Sequence, residues 1–140
     1  MNIQEDYVSF ETAKLLKEKG FDWECVYFYD YYEENDKYVV CSTGGSCNRE
    51  YYPSEYSMPT LQMAMKWLRV IHLILYVIYH SIENGELRFS WRIYKLEQDK
   101  KHYVEKLPRI GEYYKDSDES FTTYKEAEES LIKYCLENLI

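Results

Sequence analysis

At 140 residues, with 46% hydrophobic side chains, the chain is long enough to bury a core without staples and reads as a single domain over residues 1–140. A formal net charge of −8 repels phosphates at long range, so nucleic acid is not an expected partner, and no apolar run reaches the length of a transmembrane helix. The four cysteines, Cys25, Cys41, Cys47 and Cys135, are scattered, and Met1 to Asp6 lacks the basic and apolar regions of a signal peptide, which points to a reducing cytoplasm.

Ser9 to Lys19 predicts a first helix, with Ser9 as N-cap, lysines gathered toward its end and Gly20 suited to a left-handed C′ position. Its apolar stripe is narrow: Ala13, Leu15 and Leu16, with Phe10 at the edge. Phe21 to Tyr32 is dense in aromatics and reads as a strand, joined by Glu33-Glu34-Asn35-Asp36 to a second strand from Lys37 to Ser42. Alternation places Trp23, Cys25, Tyr27, Tyr29 and Tyr31 on one face and Glu24, Val26, Phe28 and Asp30 on the other. Both faces carry large residues, so the pattern does not say which is buried. Thr43 to Met58 has neither helix nor strand periodicity and holds Gly44-Gly45-Ser46, Tyr51-Tyr52-Pro53 and Tyr56; loops of this length connect elements or contact a ligand.

The clearest signals run from Pro59 to Lys95. Leu61, Ala64, Met65, Leu68 and Ile71 recur at helical steps, with Gln62, Lys66 and Arg69 opposite. The helix gives way near His72 to the apolar strand Leu73 to Tyr79, whose composition suggests cover on both faces. Asn84-Gly85 can take positive φ at both central positions of a type I′ turn, which closes a hairpin with the second strand from Leu87. A two-residue turn sets Ile82, His80, Ile78 and Tyr76 opposite Leu87, Phe89, Trp91 and Ile93 on the core face. A three-residue loop would bring Tyr79, Val77 and Leu75 there instead and turn His80 outward. Charges thicken between Glu97 and Pro108, a short edge strand is predicted over Ile110 to Tyr114, and Thr123 with Glu126 makes a capping box. The last helix then carries its apolar face on Ala127, Leu131, Tyr134, Cys135 and Leu136. The order α-β-β-α-β-β-α predicts an α+β fold: an antiparallel sheet of two β-hairpins with packed helices, in layers.

Three stretches, Ser9 to Asp22, Pro59 to Arg69 and Thr123 to Ala127, resemble a family of short uncharacterised proteins encoded in genomes, prophages and mobile elements of gut Bacteroidetes. The Tyr-rich loop and the acidic segment near Tyr113 lie outside the resemblance. It implies a bacterial or phage cytoplasmic setting, and no activity or site residues.

Chemistry is sparse. Cys41 and Cys47, with His72, His80 and His102, do not reach metal-ligand spacing, so no metal and no cofactor is expected. Cys47, beside Gly44-Gly45-Ser46, sits in the most exposed context of the four cysteines, yet no activating base is marked for it, and no catalytic residue is assigned. Carboxylate runs such as Asp116-Ser117-Asp118-Glu119 read as solvated surface, and Arg88 and Arg92 as partners of nearby carboxylates. The 17 tyrosines are the unusual feature; a tyrosine joins an apolar ring to a polar tip and serves half-buried strands and interfaces alike. The leading expectation is a non-enzymatic interaction module that contacts a second copy of itself or a host protein through Tyr51, Tyr52, Tyr56 and Trp67. The alternative is a small enzyme or ligand-binding protein with its pocket between the 43–58 loop and the helix around Trp67. A third reading, an acidic mimic of nucleic acid, rests on charge and the resemblance.

Overall fold

Ser9 and Gly20 bracket the first helix as their chemistry predicts. In the computed structural model, which describes residues 5–42, 44–46, 48, 52–95 and 113–140, helix α1 spans Phe10–Glu18, and the Ser9 hydroxyl accepts the Thr12 N–H at 3.3 Å. Gly20 lies at φ +86°; its N–H donates to the Lys17 carbonyl and that of Phe21 to the Leu16 carbonyl, the paired bonds of a Schellman stop. This closure carries Phe21 directly into the core, where it is buried with Ala13 and Leu16. The predicted strand over Phe21 to Tyr32 is therefore shortened to β1, Phe28–Tyr32, because the residues before it leave the helix by capping and make no continuous ladder, only an isolated bridge at Cys25 and a bond from the Met58 N–H to the Tyr27 carbonyl. A 3-10 turn at Glu33–Asn35, closed by Asp36 at φ 47°, leads to β2, Lys37–Cys41.

The described chain forms two compact units, one drawn from Met1–Lys66 and Ile132–Ile140, the other from Trp67–Leu131. In the first, β1 lies between β2 and a two-residue strand, β3 (Tyr56–Ser57), which falls inside the stretch expected to be irregular. The predicted helix α2 spans Leu61–His72, capped by the Thr60 hydroxyl on the Met63 N–H at 3.1 Å. Leu61, Ala64, Met65 and Leu68 are buried as the periodicity requires. Two departures stand at its end: Trp67 is buried, whereas Ile71 and its neighbour Val70 are more than half exposed. The helix ends one residue later, and Leu73 at φ 54° swings the chain into a strand, so the last turn is not covered along the stripe that the periodicity projects.

The second unit is built on the hairpin of β4, Ile74–Glu83, and β5, Glu86–Lys95. Asn84 and Gly85 both have positive φ, at 51° and 81°, and Glu83 pairs with Glu86. The turn is thus the two-residue kind, and Tyr76, Ile78, His80 and Ile82 face Ile93, Trp91, Phe89 and Leu87. Burial on this face is graded: Trp91 and Ile93 are in the core, while Leu87, Ile82 and His80 near the turn are exposed. The other face is not covered at Val77 and Tyr79, against the expectation drawn from the apolar run. The edge strand predicted over Ile110 to Tyr114 appears as β6, Tyr113–Asp116, beside β5; residues 96–112, including the Glu97 to Pro108 segment, lie outside the described residues. The two hairpins thus sit in separate three-stranded antiparallel sheets, β2-β1-β3 and β4-β5-β6, each completed by one added short strand.

Helix α3, Tyr124–Asn138, starts where Thr123 accepts the Glu126 N–H at 3.1 Å, and the Glu126 carboxylate accepts from Thr122, at 2.9 Å. Ala127, Leu131, Cys135 and Leu136 are buried, joined by Ile132, and burial pushes the Cys135 thiol up to about 12. Trp91 donates its indole N–H to the Ser130 hydroxyl at 3.3 Å. Arg92 makes a two-pronged contact with Asp116, at 2.7 and 3.1 Å, whereas Arg88 turns to the hydroxyl and carbonyl of Ser120 rather than to a carboxylate.

Trp91→Ala is expected to lower stability by roughly 3–5 kcal/mol through lost burial and the cavity left behind. A denaturant melt shifted by less than about 1 kcal/mol would show that this face is not core. The Arg92 hydrogen bonds and charge hold the Asp116 carboxyl below its usual range. A depressed folded value means that the contribution is present above the unfolded carboxylate pKa and is lost as pH falls through the folded one. Asp116→Asn should therefore flatten the loss of stability on acidification below about pH 4, seen in melts across a pH series.

Candidate functional site: a tyrosine face on the first unit

Antiparallel partners share a face, and in β2-β1-β3 the register pairs Tyr29 with Val40 and Tyr56, and Tyr31 with Tyr38. One face of this small sheet is therefore paved with tyrosine. Phe10, from the first turn of α1, lies against it with ring centroids 5.3 Å from Tyr29, 4.4 Å from Tyr38 and 5.5 Å from Tyr56. Tyr38 in turn meets Tyr31 at 5.3 Å and Tyr56 at 5.7 Å. Most of these contacts are edge-on or tilted, the arrangements that aromatic quadrupoles favour, so the rings hold one another in place. The opposite face carries Phe28, which is buried in the core; on the tyrosine face Tyr31 is exposed, while Tyr29 is half-buried under Phe10 with its hydroxyl donating to the Val8 carbonyl at 3.1 Å.

The cover given by Phe10 is partial. Tyr31, Tyr38 and Val40 remain exposed, at 38%, 37% and 53%. The Tyr31 hydroxyl donates to the Asp36 carboxylate, and this bond, ahead of burial and the neighbouring Tyr38, raises the phenol above its ordinary range. The Tyr56 phenol is raised too, by burial first and then by Tyr38 and Glu18. Both stay protonated at neutral pH, as rings with a hydroxyl available for hydrogen bonding.

The described residues of the loop before β3 are held by specific hydrogen bonds. Cys25 and Ser46 exchange backbone hydrogen bonds at 2.7 and 2.9 Å. Gly45, at φ +64°, passes so close that a Cβ there would stand 2.7 Å from the Cys25 carbonyl oxygen. The Asn48 side chain accepts the Ser57 N–H and donates to the Phe21 carbonyl, both at 2.8 Å. Lys17, from the last turn of α1, donates to the carbonyls of Tyr52, Pro53 and Glu55 at 3.3, 3.0 and 2.6 Å, with its ammonium 4.7 Å from the centroid of the Tyr56 ring. Burial lowers its pKa, opposed by the charge of Glu55. One lysine thus gathers three carbonyls that have no strand to pair with and sets the edge of the tyrosine face.

Of the four residues that the sequence singles out, Tyr56 lies within this face, and Tyr52 is at its margin, exposed, with its carbonyl on Lys17. Tyr51 and Cys47 lie outside the described residues. Trp67 belongs to the second unit, where it is 2% exposed and its ring meets His72 edge-on at 4.5 Å. Burial lowers the His72 pKa, so this imidazole is neutral at pH 7. No family model, curated protein or solved structure matches the chain. Phe10, Tyr29, Tyr31, Tyr38 and Lys17 are the site residues that sequence reading missed. The alternation of Tyr29 and Tyr31 carried the signal for two of them; the other three depended on how α1 and β2 lie against β1.

The second unit bears an open polar cleft of about 490 Å³ beside Glu83, Arg88, Ser117, Asp118 and Ser120. Its guanidinium is already engaged: Arg88 donates to the Ser120 hydroxyl, which donates to Glu83 at 3.1 Å. Among the described residues no group of three or more His, Cys, Asp or Glu side chains could hold a metal ion, and no helix is long and apolar enough to cross a membrane.

Lys17→Met is expected to cost roughly 1.5–3 kcal/mol, the range for hydrogen bonds to a charged group. It should also speed amide exchange at 54–57 while leaving the β4–β5 hairpin protected. Unchanged exchange there would show that the lysine does not hold the loop.

Proposed function

We propose that the protein is a non-enzymatic interaction module that docks another protein on the tyrosine face of its first unit. The observation that carries this reading is the exposed end of the pavement, Tyr31, Tyr38 and Val40, whose rings are preset by Phe10 and by one another. Two-χ aromatic side chains already ordered before binding contribute contact area at low entropic cost, which is why tyrosine recurs at recognition surfaces. Exposed Glu33, Glu34 and Asp36 stand in the turn that joins the same two strands, so the surface suits a partner presenting arginine or lysine among apolar side chains. The net charge of −8 would steer such a partner from a distance. The setting that goes with this reading is the bacterial or phage cytoplasm implied by the resemblance, with a host protein as the partner.

The test is a pull-down from host lysate with the wild-type chain and with Tyr31→Ser/Tyr38→Ser, both first shown to be folded by circular dichroism. A specific partner should be captured by the wild type, weakened at least tenfold in the double variant and released by salt. Capture of the same partner at equal strength by the variant, or no partner for the wild type at micromolar concentration, sinks the proposal.

A further inference from the structure

Among the described residues β4, one of the two ten-residue strands of the second unit, is an edge. Among the described residues β4 pairs with β5 alone, and its ten residues, Ile74–Glu83, leave one side of the backbone without a neighbouring strand. The register says which groups face that side. In a two-residue hairpin the residues flanking the turn, Glu83 and Glu86, exchange both hydrogen bonds, and the pattern alternates from there. The N–H and C=O groups of Ile74, Tyr76, Ile78, His80 and Ile82 therefore point away from β5. The partners of two of them confirm the phase: Phe89, opposite His80, exchanges backbone bonds with Phe121, and Trp91, opposite Ile78, receives Ser117, each on the far side of β5.

An extended row of unpaired donors and acceptors is a template for another strand, and natural proteins usually blunt such edges with lysine, proline, a bulge or shortness. β4 uses none of these devices. It contains no lysine or proline, its ladder with β5 is unbroken, and Val77, Tyr79 and Ile82 are 47%, 38% and 68% exposed. In a chain of net charge −8 it is also a stretch without a formal charge from Ile74 to Ile82, where two copies can approach without carboxylates between them.

We infer that β4 pairs with β4 of a second copy of this chain, antiparallel and with Ile78 on the twofold axis, to join two three-stranded sheets into one of six strands. A twofold axis normal to the sheet preserves its faces, so opposing residues must have the same parity, and two registers fit best. With Ile78 at the centre, Ile74 meets Ile82 of the second copy, Tyr76 meets His80, and Val77 meets Tyr79, an aromatic against a β-branched side chain in the closer, non-hydrogen-bonded kind of pair. The outward residues then pair only with outward residues, and Glu83 falls beyond the last of these pairs. With Tyr79 at the centre, Glu83 would enter the ladder against Leu75 and Val77 would meet Ser81, which wastes the exposed apolar surface. The occupant is a second copy, because the strand is self-complementary in size, hydrogen-bonding phase and lack of charge. This surface lies on the second unit and is independent of the tyrosine face, whose variants leave β4 unaltered.

The test uses light scattering of the full chain over the micromolar range, with two double variants on the exposed outer face. Val77→Glu/Tyr79→Glu sets like charges against each other in the Ile78-centred dimer, whereas Val77→Glu/Tyr79→Lys sets opposite ones. Arg92 of β5 stands opposite position 77, an opposite charge to glutamate there in both variants, and circular dichroism checks that each is folded. The wild type should have the mass of two chains, the first variant that of one, and the second that of two, with amide exchange at Ile78 and His80 slowed only in the dimers. A wild type that stays monomeric, an open-ended assembly, a first variant as dimeric as the wild type, or a second variant that is monomeric would each overturn the inference.

Discussion

Asn84 and Gly85 both adopt positive φ, and the register of the second unit depends on it. A type I′ turn admits two residues between its strands and no more, so each residue of β4 is assigned one partner and one face. Shifting the ladder by a single residue would send Trp91 and Ile93 to solvent and bring Ser90 and Arg92 inward. The positions of Arg92 beside Asp116 and of Trp91 beside Ser130, and the set of β4 backbone groups that point away from β5, follow from the same choice. A two-residue turn is local chemistry, yet it sets contacts far from it along both strands.

The first unit solves a different problem. Its sheet is small, two five-residue strands and one of two residues, and a sheet of that size buries little. Aromatic side chains compensate by area: Phe28 faces inward, while Phe10, Tyr29, Tyr38 and Tyr56 lock the outer face through ring contacts. Lys17 then satisfies the Tyr52, Pro53 and Glu55 carbonyls ahead of β3, and Asn48 the Ser57 N–H within it, so side chains complete what so short a strand leaves unpaired. The result is a surface that is ordered and only partly covered, which is the property that a docking face needs.

The two exposed features differ in kind. The tyrosine face offers side chains and would select a partner by the shape and charge of its surface; the β4 edge offers main chain and would accept a strand whose length and phase match. One chain can use both, because they belong to different units and share no residue.

Local signals determined the helices and turns. Ser9 and Gly20 marked α1, Pro59 and Thr60 the start of α2, Asn84-Gly85 the central hairpin and Thr123 with Glu126 the last helix, because capping and turn preferences act over a few residues and can be read where they stand. The α+β class and the alternation of helices with hairpins followed from those signals. Tertiary structure alone decided that the hairpins lie in separate sheets, that Phe28 rather than Tyr29 turns to the core, and that Trp67 is buried while Ile71 is not. Those outcomes depend on what packs against a face or a helix end, and period alone cannot name the neighbour. The candidate site divides in the same way. An excess of tyrosine was legible and Tyr56 was among the residues singled out, but the pavement required Phe10, Tyr38 and Lys17 to be delivered from elements distant in sequence, and residues that meet only through the fold leave no joint mark on the chain.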